Sequence, residues 1–138
     1  MSIFIDSGFF IAFHNTKDSN NSKATKLMRE IVAGRLGSAY TSDYIFDEAV
    51  TTALFRTRRP EIALSVGKMI LGELTKPFLI VLRVNDEAFR QAWKLFPRCA
   101  SRGLSFTDCT SIALMGMRNI DSIVSFDKDF NGIVSRIS

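Results

Sequence analysis

The sequence predicts an α/β fold, a three-layer α/β/α sandwich around a mainly parallel central sheet. Short apolar segments rich in β-forming residues alternate with longer segments whose apolar residues recur at helical spacing. The segments between most predicted strands are also long enough for the crossover connections that parallel pairing requires. With 138 residues, 46% of them hydrophobic, the chain is expected to form one domain over residues 1–138.

The first half of the chain opens on the strand that we expect to organise the fold, because it is apolar and ends in a carboxylate. Ser42 is a favourable N-cap for a later helix, and Pro60 suits the first turn of the helix after that. In order, the predicted elements are a strand over Ser2–Asp6, an apolar helical run over Phe9–Phe13, a helix over Ser19–Val32, a strand over Ser38–Thr41, and helices over Asp43–Arg56 and Glu61–Leu74.

The second half begins with a nearly continuous apolar run, Phe78–Val84, which is typical of a buried strand. A helix capped by Asn85 or Asp86 should follow and close at Pro97. Its aromatic residues Trp93 and Phe96 fit packing between helix and sheet better than a platform for stacking bases. The remaining predicted elements are a helix over Asp108–Met117 capped by Thr107, a strand over Ser122–Phe126 and a short last strand over Ile133–Ile137.

Composition narrows the classes of function. The net charge of +4 is a mild excess, and the basic residues are scattered apart from Arg56, Arg58 and Arg59, so charge alone does not identify a nucleic-acid-binding protein. Two cysteines without a CxxC pattern and one histidine argue against a zinc site or a histidine-based triad. No signal peptide or membrane span is recognised, so we expect a cytoplasmic protein without membrane contact.

Four acidic residues occupy positions that should converge in a parallel sheet. Asp6 closes the first predicted strand and Asp127 follows the fourth, while Glu48 and Asp108 lie early in helices whose starts open onto the same edge. Each residue taken singly also fits an ordinary role, as a turn cap, a solvated helix acid or a first-turn acid that suits the helix dipole. The prediction therefore depends on the four residues together.

Carboxylates held close together raise one another's pKa unless a cation neutralises them. Oxygen ligands without histidine or cysteine favour Mg²⁺ or Mn²⁺. Such a cation can activate water for attack on a phosphodiester. The acidic residues thus predict a metal-dependent hydrolase.

The segments around these acids resemble the four acidic motifs of PIN-domain proteins, in particular the VapC-like toxin ribonucleases. The matching segments are Phe4-Ile5-Asp6-Ser7, Asp47-Glu48-Ala49, Phe106-Thr107-Asp108 and Ser125-Phe126-Asp127-Lys128-Asp129-Phe130. The resemblance implies a PIN fold and a Mg²⁺- or Mn²⁺-dependent endoribonuclease acting on RNA. It also implies a homodimer and an antitoxin protein as partner, the toxin being one half of a type II toxin–antitoxin pair.

Carried over by position, the resemblance makes Asp6, Glu48, Asp108 and Asp127 the catalytic and metal-binding residues. Supporting roles fall to Ser125, Thr107 and Asp129. The sequence departs from many relatives after Asp18, where Asn20-Asn21 stands in place of a histidine, and it lacks their frequent Pro-Gly near the C-terminus.

Several features keep more than one interpretation. Arg56, Arg58 and Arg59 could bind RNA phosphates, or they could form a solvated helix end where cations suit the dipole. The apolar stretch Ile62–Leu74 could be a dimer face, an antitoxin groove or ordinary core.

Competing functions differ in the acids they require. A receiver domain needs a phosphorylatable Asp at the end of its third strand, where Val84-Asn85 stands, and a haloacid-dehalogenase-like phosphatase needs a second Asp where Gly8 stands. The alternative that remains is a catalytically inactive PIN-like protein that binds RNA or acts as a scaffold.

Overall fold

A five-stranded sheet, all of its pairings parallel, forms the centre of the structure, a computed structural model that describes residues 1–138. The strands lie in the order β3-β2-β1-β4-β5, so the first strand is central. Their bounds are β1 Ser2–Ile5, β2 Ser38–Ser42, β3 Leu79–Leu82, β4 Ser122–Val124 and β5 Ser135–Ile137. The predicted α/β/α sandwich is confirmed, with a sheet that is parallel throughout.

Six α-helices accompany the sheet, and a short 3₁₀ turn follows β4 at Lys128–Phe130. Helix α3 packs chiefly against α4, and α5 against α6. No helix is both long and apolar enough to cross a membrane. Their bounds are α1 Ser7–His14, α2 Asn21–Val32, α3 Asp43–Thr57, α4 Pro60–Ile70, α5 Asp86–Ser101 and α6 Phe106–Arg118.

The central strand β1 is enclosed on both faces and both sides. Phe4 pairs in register with Tyr40 of β2 and Ile123 of β4, and Ile3, Phe4 and Ile5 are completely buried. Because all strands are parallel, their carboxyl ends meet at one edge of the sheet. Residues that follow β1 and β4 in sequence therefore meet at this edge.

Local capping agrees with the sequence in α3 and α4. The Ser42 hydroxyl accepts a 3.1 Å hydrogen bond from the Ile45 amide, and Pro60 occupies the first turn of α4. Helix α4 ends at Ile70 rather than at Leu74, and Gly72 follows at φ +73°, a left-handed conformation that glycine adopts readily.

The apolar stripe of α4 belongs largely to the core of this chain. Val66 and Ile70 are buried, and Ile62 and Met69 pack against the core from partly buried positions. Of the three interpretations of this stretch, the structure therefore favours ordinary core for these inward-facing side chains.

Two expectations about helix ends are wrong. Helix α5 does not close at Pro97, which lies inside it; the helix continues to Ser101, and Cys99 is buried beside Cys109 of α6 in this last part. The N-cap of α6 is Ser105 rather than Thr107. Burial of the Cys99 side chain favours continuation of a helix whose hydrogen-bond ladder a proline interrupts.

Two expectations about burial are also wrong. Strand β3 is an edge strand, and Ile80 within it is 49% exposed, because the strand order leaves one side of β3 unpaired. Trp93 is 63% exposed and does not pack between helix and sheet; it stacks instead on Phe96, with ring centroids 5.7 Å apart.

Candidate metal centre

Asp6 lies at the carboxyl end of the central strand and is 7% exposed. Its Oδ1 accepts a 2.9 Å hydrogen bond from the Ser7 amide, so Asp6 does cap helix α1, one of the roles open to it from sequence. Its Oδ2 accepts a 2.7 Å hydrogen bond from the Ser125 hydroxyl, which reaches it from the end of β4. The two hydrogen bonds fix the orientation of the carboxylate while leaving lone pairs on both oxygens.

Glu48 reaches the same place from the second turn of α3. It is half-buried, whereas Asp47 beside it is exposed, because Glu48 shares the helix side of the buried Ile45 and Ala49. The Ser7 hydroxyl donates a 2.6 Å hydrogen bond to Glu48 Oε2. Ser7 thus links two acids, because its amide contacts Asp6 and its hydroxyl contacts Glu48.

Asp108 occupies the first turn of α6 in a reciprocal capping arrangement. Its amide donates a 3.1 Å hydrogen bond to the Ser105 hydroxyl, and its Oδ2 accepts one of 2.8 Å from the Ser105 amide. The cap holds this half-buried carboxylate at the start of the helix, where the dipole favours negative charge.

Asp6, Glu48 and Asp108 each offer a carboxylate oxygen, and these three oxygens lie within 4.8 Å of one another. Burial, followed by the charges of Asp108 and Glu48, raises the pKa of Asp6 to about 7. Burial, with the charges of Glu48 and Asp127, raises the pKa of Asp108 to about 6. The three carboxylates, which we call the acid trio, therefore hold negative charge that only a cation or a proton can compensate at neutral pH.

Asp127 lies at the wall of the same cavity but outside the acid trio. Its amide donates a 3.1 Å hydrogen bond to the Ser125 hydroxyl, and its Oδ1 accepts one of 2.9 Å from the Asp129 amide. Asp129 is exposed and does not line the cavity. Its amide contacts Asp127, and its carboxylate lies beside Gly103 of the cavity lining. The sequence predicted four acids at one edge of the sheet. The structure places oxygens of three of them within 4.8 Å of one another and the fourth acid at the wall of the same cavity.

The cavity around the trio has a volume of about 380 Å³, and only two of its fourteen lining residues, Ile11 and Phe126, are hydrophobic. Its charged lining consists of five carboxylates and one guanidinium, namely Asp6, Asp18, Glu48, Asp108, Asp127 and Arg56. Such a cavity attracts cations and repels a bare phosphate. The clustered hard oxygen donors fit a divalent ion such as Mg²⁺ or Mn²⁺, and these lining residues include no histidine or cysteine that would favour zinc.

The remaining predicted residues divide between the cavity and its surroundings. Arg56 lines the cavity, whereas Arg58 lies over the Phe55 ring and Arg59 pairs with Glu61 at 2.7 Å. Thr107 does not line the cavity, and its carbonyl accepts hydrogen bonds from side chains one turn later in α6.

Sequence reasoning missed two serines that orient the acids, Ser7 and Ser105. Ser105 had a recognisable signal, since a serine three residues before an acid marks a capping box. Ser7 had none beyond its place in the first motif. Asp18 and Asn20 also line the cavity, in the segment where the sequence departs from many relatives.

The proteins of known function that this chain resembles in sequence are VapC nucleases. The chain is 25% identical over 132 residues to a VapC ribonuclease of Archaeoglobus fulgidus, an alignment that covers 95% of this chain and 80% of the relative. It is 29% identical over 129 residues to the 23S rRNA-specific endonuclease VapC20 of Mycobacterium tuberculosis, covering 94% of this chain and 92% of the relative.

Solved structures share the architecture. The crystal structure of Mycobacterium tuberculosis VapC20, described as a sarcin-ricin loop cleaving toxin, superposes with a TM-score of 0.82 at 28% identity, covering 96% of this chain and 95% of that one. A toxin–antitoxin complex from Klebsiella pneumoniae shares the fold, with a TM-score of 0.67 at 12% identity over 99% of this chain and 97% of that one. The PIN domain model matches residues 3–134, and the chain therefore belongs to the PIN domain family.

Proposed function

We propose that this protein is a Mg²⁺- or Mn²⁺-dependent endoribonuclease and the toxin of a type II toxin–antitoxin pair. The observation that carries the proposal is the acid trio, whose three carboxylate oxygens lie within 4.8 Å of one another in a cavity of mostly polar residues. The relatives named as ribonuclease and endonuclease support the same class of reaction.

Asp6, Glu48 and Asp108 would hold the ion, and Asp127 would add a fourth negative charge at the wall of the same cavity. When bound, a divalent cation supplies the charge that admits a phosphodiester and the Lewis acidity that activates water. The chain's own contribution is orientation: the hydroxyls of Ser7 and Ser125 keep two of the carboxylates turned into the cavity.

We infer that the substrate is single-stranded or loop RNA. A recessed cavity is reached more easily by an unstacked backbone than by a rigid duplex. Arg56, the one guanidinium in the cavity lining, is placed to contact a phosphate next to the scissile one. Recognition of a ribosomal loop, as in the name of the VapC20 relative, is a specific form of this proposal that a panel of RNAs can test.

A homodimer and an antitoxin partner belong to the same proposal. The description of the similar Mycobacterium tuberculosis protein as a toxin supports the toxin half of this proposal. Sedimentation of the purified protein tests the dimer. Co-expression with the product of a short neighbouring gene for a DNA-binding peptide tests the antitoxin, and the expected result is a stable complex in which RNA cleavage is suppressed.

The deciding experiment incubates purified protein with structured and unstructured RNAs in Mg²⁺, Mn²⁺ or EDTA. Asp6→Asn is compared with Asp47→Asn, which changes an exposed acid of α3 outside the cavity. We expect cleavage by the wild type and by Asp47→Asn in either metal, and none in EDTA or with Asp6→Asn. Cleavage that persists in EDTA or in Asp6→Asn contradicts the mechanism. Failure of the wild type to bind Mn²⁺ favours the inactive scaffold instead.

A further inference from the structure

An exposed group of aromatic rings adjoins the candidate metal centre. Trp93 is 63% exposed and Phe89 is 48% exposed, on the outer side of α5. Phe96 and Phe106 are partly buried and pack against the core. We call these four residues the aromatic platform.

The rings of the platform support one another in a continuous chain of contacts. Trp93 stacks on Phe96 with centroids 5.7 Å apart and planes inclined by 14°. Phe96 meets Phe106 edge-on at 6.1 Å, and Phe89 lies 5.1 Å from Phe106. Because Phe96 covers one face of the indole while most of Trp93 stays exposed, the other face is open to a flat ligand.

The chain of rings ends at the rim of the cavity. Phe106 is the first residue of α6, and the Ser105 before it lines the cavity. Asp108 of the acid trio follows two residues later in the same helical turn. A strand of nucleic acid whose phosphate enters the cavity would therefore pass close to Phe106, and bases further along the strand could reach Trp93 by way of Phe96.

Basic side chains run along α5 next to the platform. Arg90, Lys94 and Arg98 recur every four residues, are exposed and form no salt bridge. At 3.6 residues per turn, the aromatic stripe lies between this basic stripe and the buried face of the helix. Exposed aromatic faces beside a line of cations are typical of surfaces that bind single-stranded nucleic acid, with bases stacked and phosphates paired.

A second copy of this chain is a poorer occupant of the same surface. A two-fold contact pairs a surface with itself, so α5, which carries Arg90, Lys94 and Arg98 against Asp86 and Glu87, would face the same net positive charge on the other copy. Phosphates of an RNA strand compensate the same charges.

We propose that the aromatic platform is a base-stacking site that holds the bases of single-stranded RNA flanking the phosphodiester in the cavity. This inference rests on the proposed ribonuclease function and adds to it the place where bases are bound. Stacking gives affinity with little dependence on base identity, since every base has a flat face. Sequence choice would then come from other contacts.

Trp93 is the only tryptophan of the chain, so its fluorescence reports on the platform directly. The wild type is titrated in EDTA, where no cleavage is expected, with single-stranded oligoadenylate and with an abasic ribose-phosphate oligomer of equal length. We expect saturable quenching by oligoadenylate and none by the abasic oligomer. RNA binding seen by fluorescence anisotropy without quenching overturns the proposal.

Substitution gives an independent readout. Trp93→Ala should raise the Kd for labelled oligoadenylate roughly tenfold, and Trp93→Phe should restore most of the affinity. Phe55→Ala is the matched control, since Phe55 is an aromatic side chain 61% exposed on α3 whose ring is approached by Arg58. Its Kd should equal that of the wild type. An unchanged Kd in Trp93→Ala overturns the proposal, as does conversion of a wild-type dimer to monomer by that substitution in sedimentation.

The outcomes separate the platform from the proposed function. Cleavage of RNA in Mn²⁺ without base-dependent quenching overturns the platform and leaves the ribonuclease. Base-dependent quenching without cleavage in any metal supports the platform and overturns the ribonuclease.

Discussion

The Ser125 hydroxyl donates a 2.7 Å hydrogen bond to Oδ2 of Asp6, a residue 119 positions earlier in the chain. The same hydroxyl accepts a 3.1 Å hydrogen bond from the Asp127 amide. One buried serine thereby orients a carboxylate of the acid trio and the backbone of the fourth acid. Loss of this hydroxyl should weaken metal binding more than it lowers the stability of the fold.

Ser125→Ala should weaken Mn²⁺ binding by about 10- to 100-fold, because it removes a hydrogen bond that lowers the pKa of Asp6 and fixes its orientation. Isothermal titration calorimetry at neutral pH measures the change. Ser122→Ala is the control, since that β4 serine pairs with the Ser135 hydroxyl at 3.0 Å, away from the cavity. Equal Mn²⁺ affinity in the two variants would contradict the role given to Ser125.

The metal-free protein should lose stability as the pH rises. The folded state raises the pKa of Asp6 from 3.8 to about 7 and that of Asp108 from 3.8 to about 6. Between pH 4 and pH 7 the folded state therefore holds protons on Asp6 and Asp108 that the unfolded state has released. The contribution of these protons to the free energy of unfolding is complete below pH 4 and is lost as the pH rises through about 7. Urea denaturation in EDTA should give a free energy of unfolding about 2–4 kcal/mol lower at pH 8 than at pH 5.

Two comparisons test the origin of this pH dependence. Asp6→Asn should reduce the dependence of the free energy of unfolding on pH and stabilise the metal-free protein at pH 8, because it removes the most deeply buried carboxylate of the trio. Asp47→Asn should behave as the wild type does. Saturating Mn²⁺ at pH 8 should restore the lost stability by binding the ionised form. A wild-type profile that rises toward pH 8 in EDTA is incompatible with the raised pKa values of Asp6 and Asp108.

Ser105→Ala should lower the free energy of unfolding by about 1 kcal/mol, the usual effect of removing a helix N-cap. Thr107→Ala is the informative comparison, since Thr107 was the sequence-predicted cap and its side chain makes no hydrogen bond in the structure. It should change stability by less than about 0.5 kcal/mol. Urea denaturation of both variants measures the difference, and the reverse order of effects would restore Thr107 as the cap.

Arg56→Ala should weaken RNA binding and reduce the slope of log K against log salt by about one unit, as expected for one lost phosphate contact. Arg59→Ala should have little effect, because Arg59 already pairs with Glu61 and lies outside the cavity. Anisotropy titrations in EDTA at several salt concentrations give both slopes. Identical slopes for the two variants would show that the arginines act only through general charge.

The convergence of the acids could be predicted because it depends on rules that local sequence carries. A strand followed by an acid, as in Ile5-Asp6, places that acid at the carboxyl edge of a parallel sheet wherever the strand lies. The burial of Glu48 likewise follows from its neighbours Ile45 and Ala49 at helical spacing. These relations hold within single elements, and the structure confirms them.

What could not be predicted depends on the arrangement between elements. The apolar run that becomes β3 resembles a buried strand, yet the strand order leaves it at an edge with Ile80 exposed. The exposure of Trp93 also depends on the arrangement between elements. Helical periodicity identifies an apolar side of α5, but it does not tell which part of that side the neighbouring helix covers. The position of Asp127 outside the acid trio depends on a turn held by Ser125, which no periodic pattern describes.

The central position of β1 also has a consequence for biosynthesis. Asp6 leaves the ribosome well before its partners β4 and Ser125, which are made more than a hundred residues later. A nascent chain therefore carries the first acid of the site for more than a hundred residues of translation without the strand that completes it. The arrangement in which Ser125 orients Asp6 can therefore form only after β4 has left the ribosome.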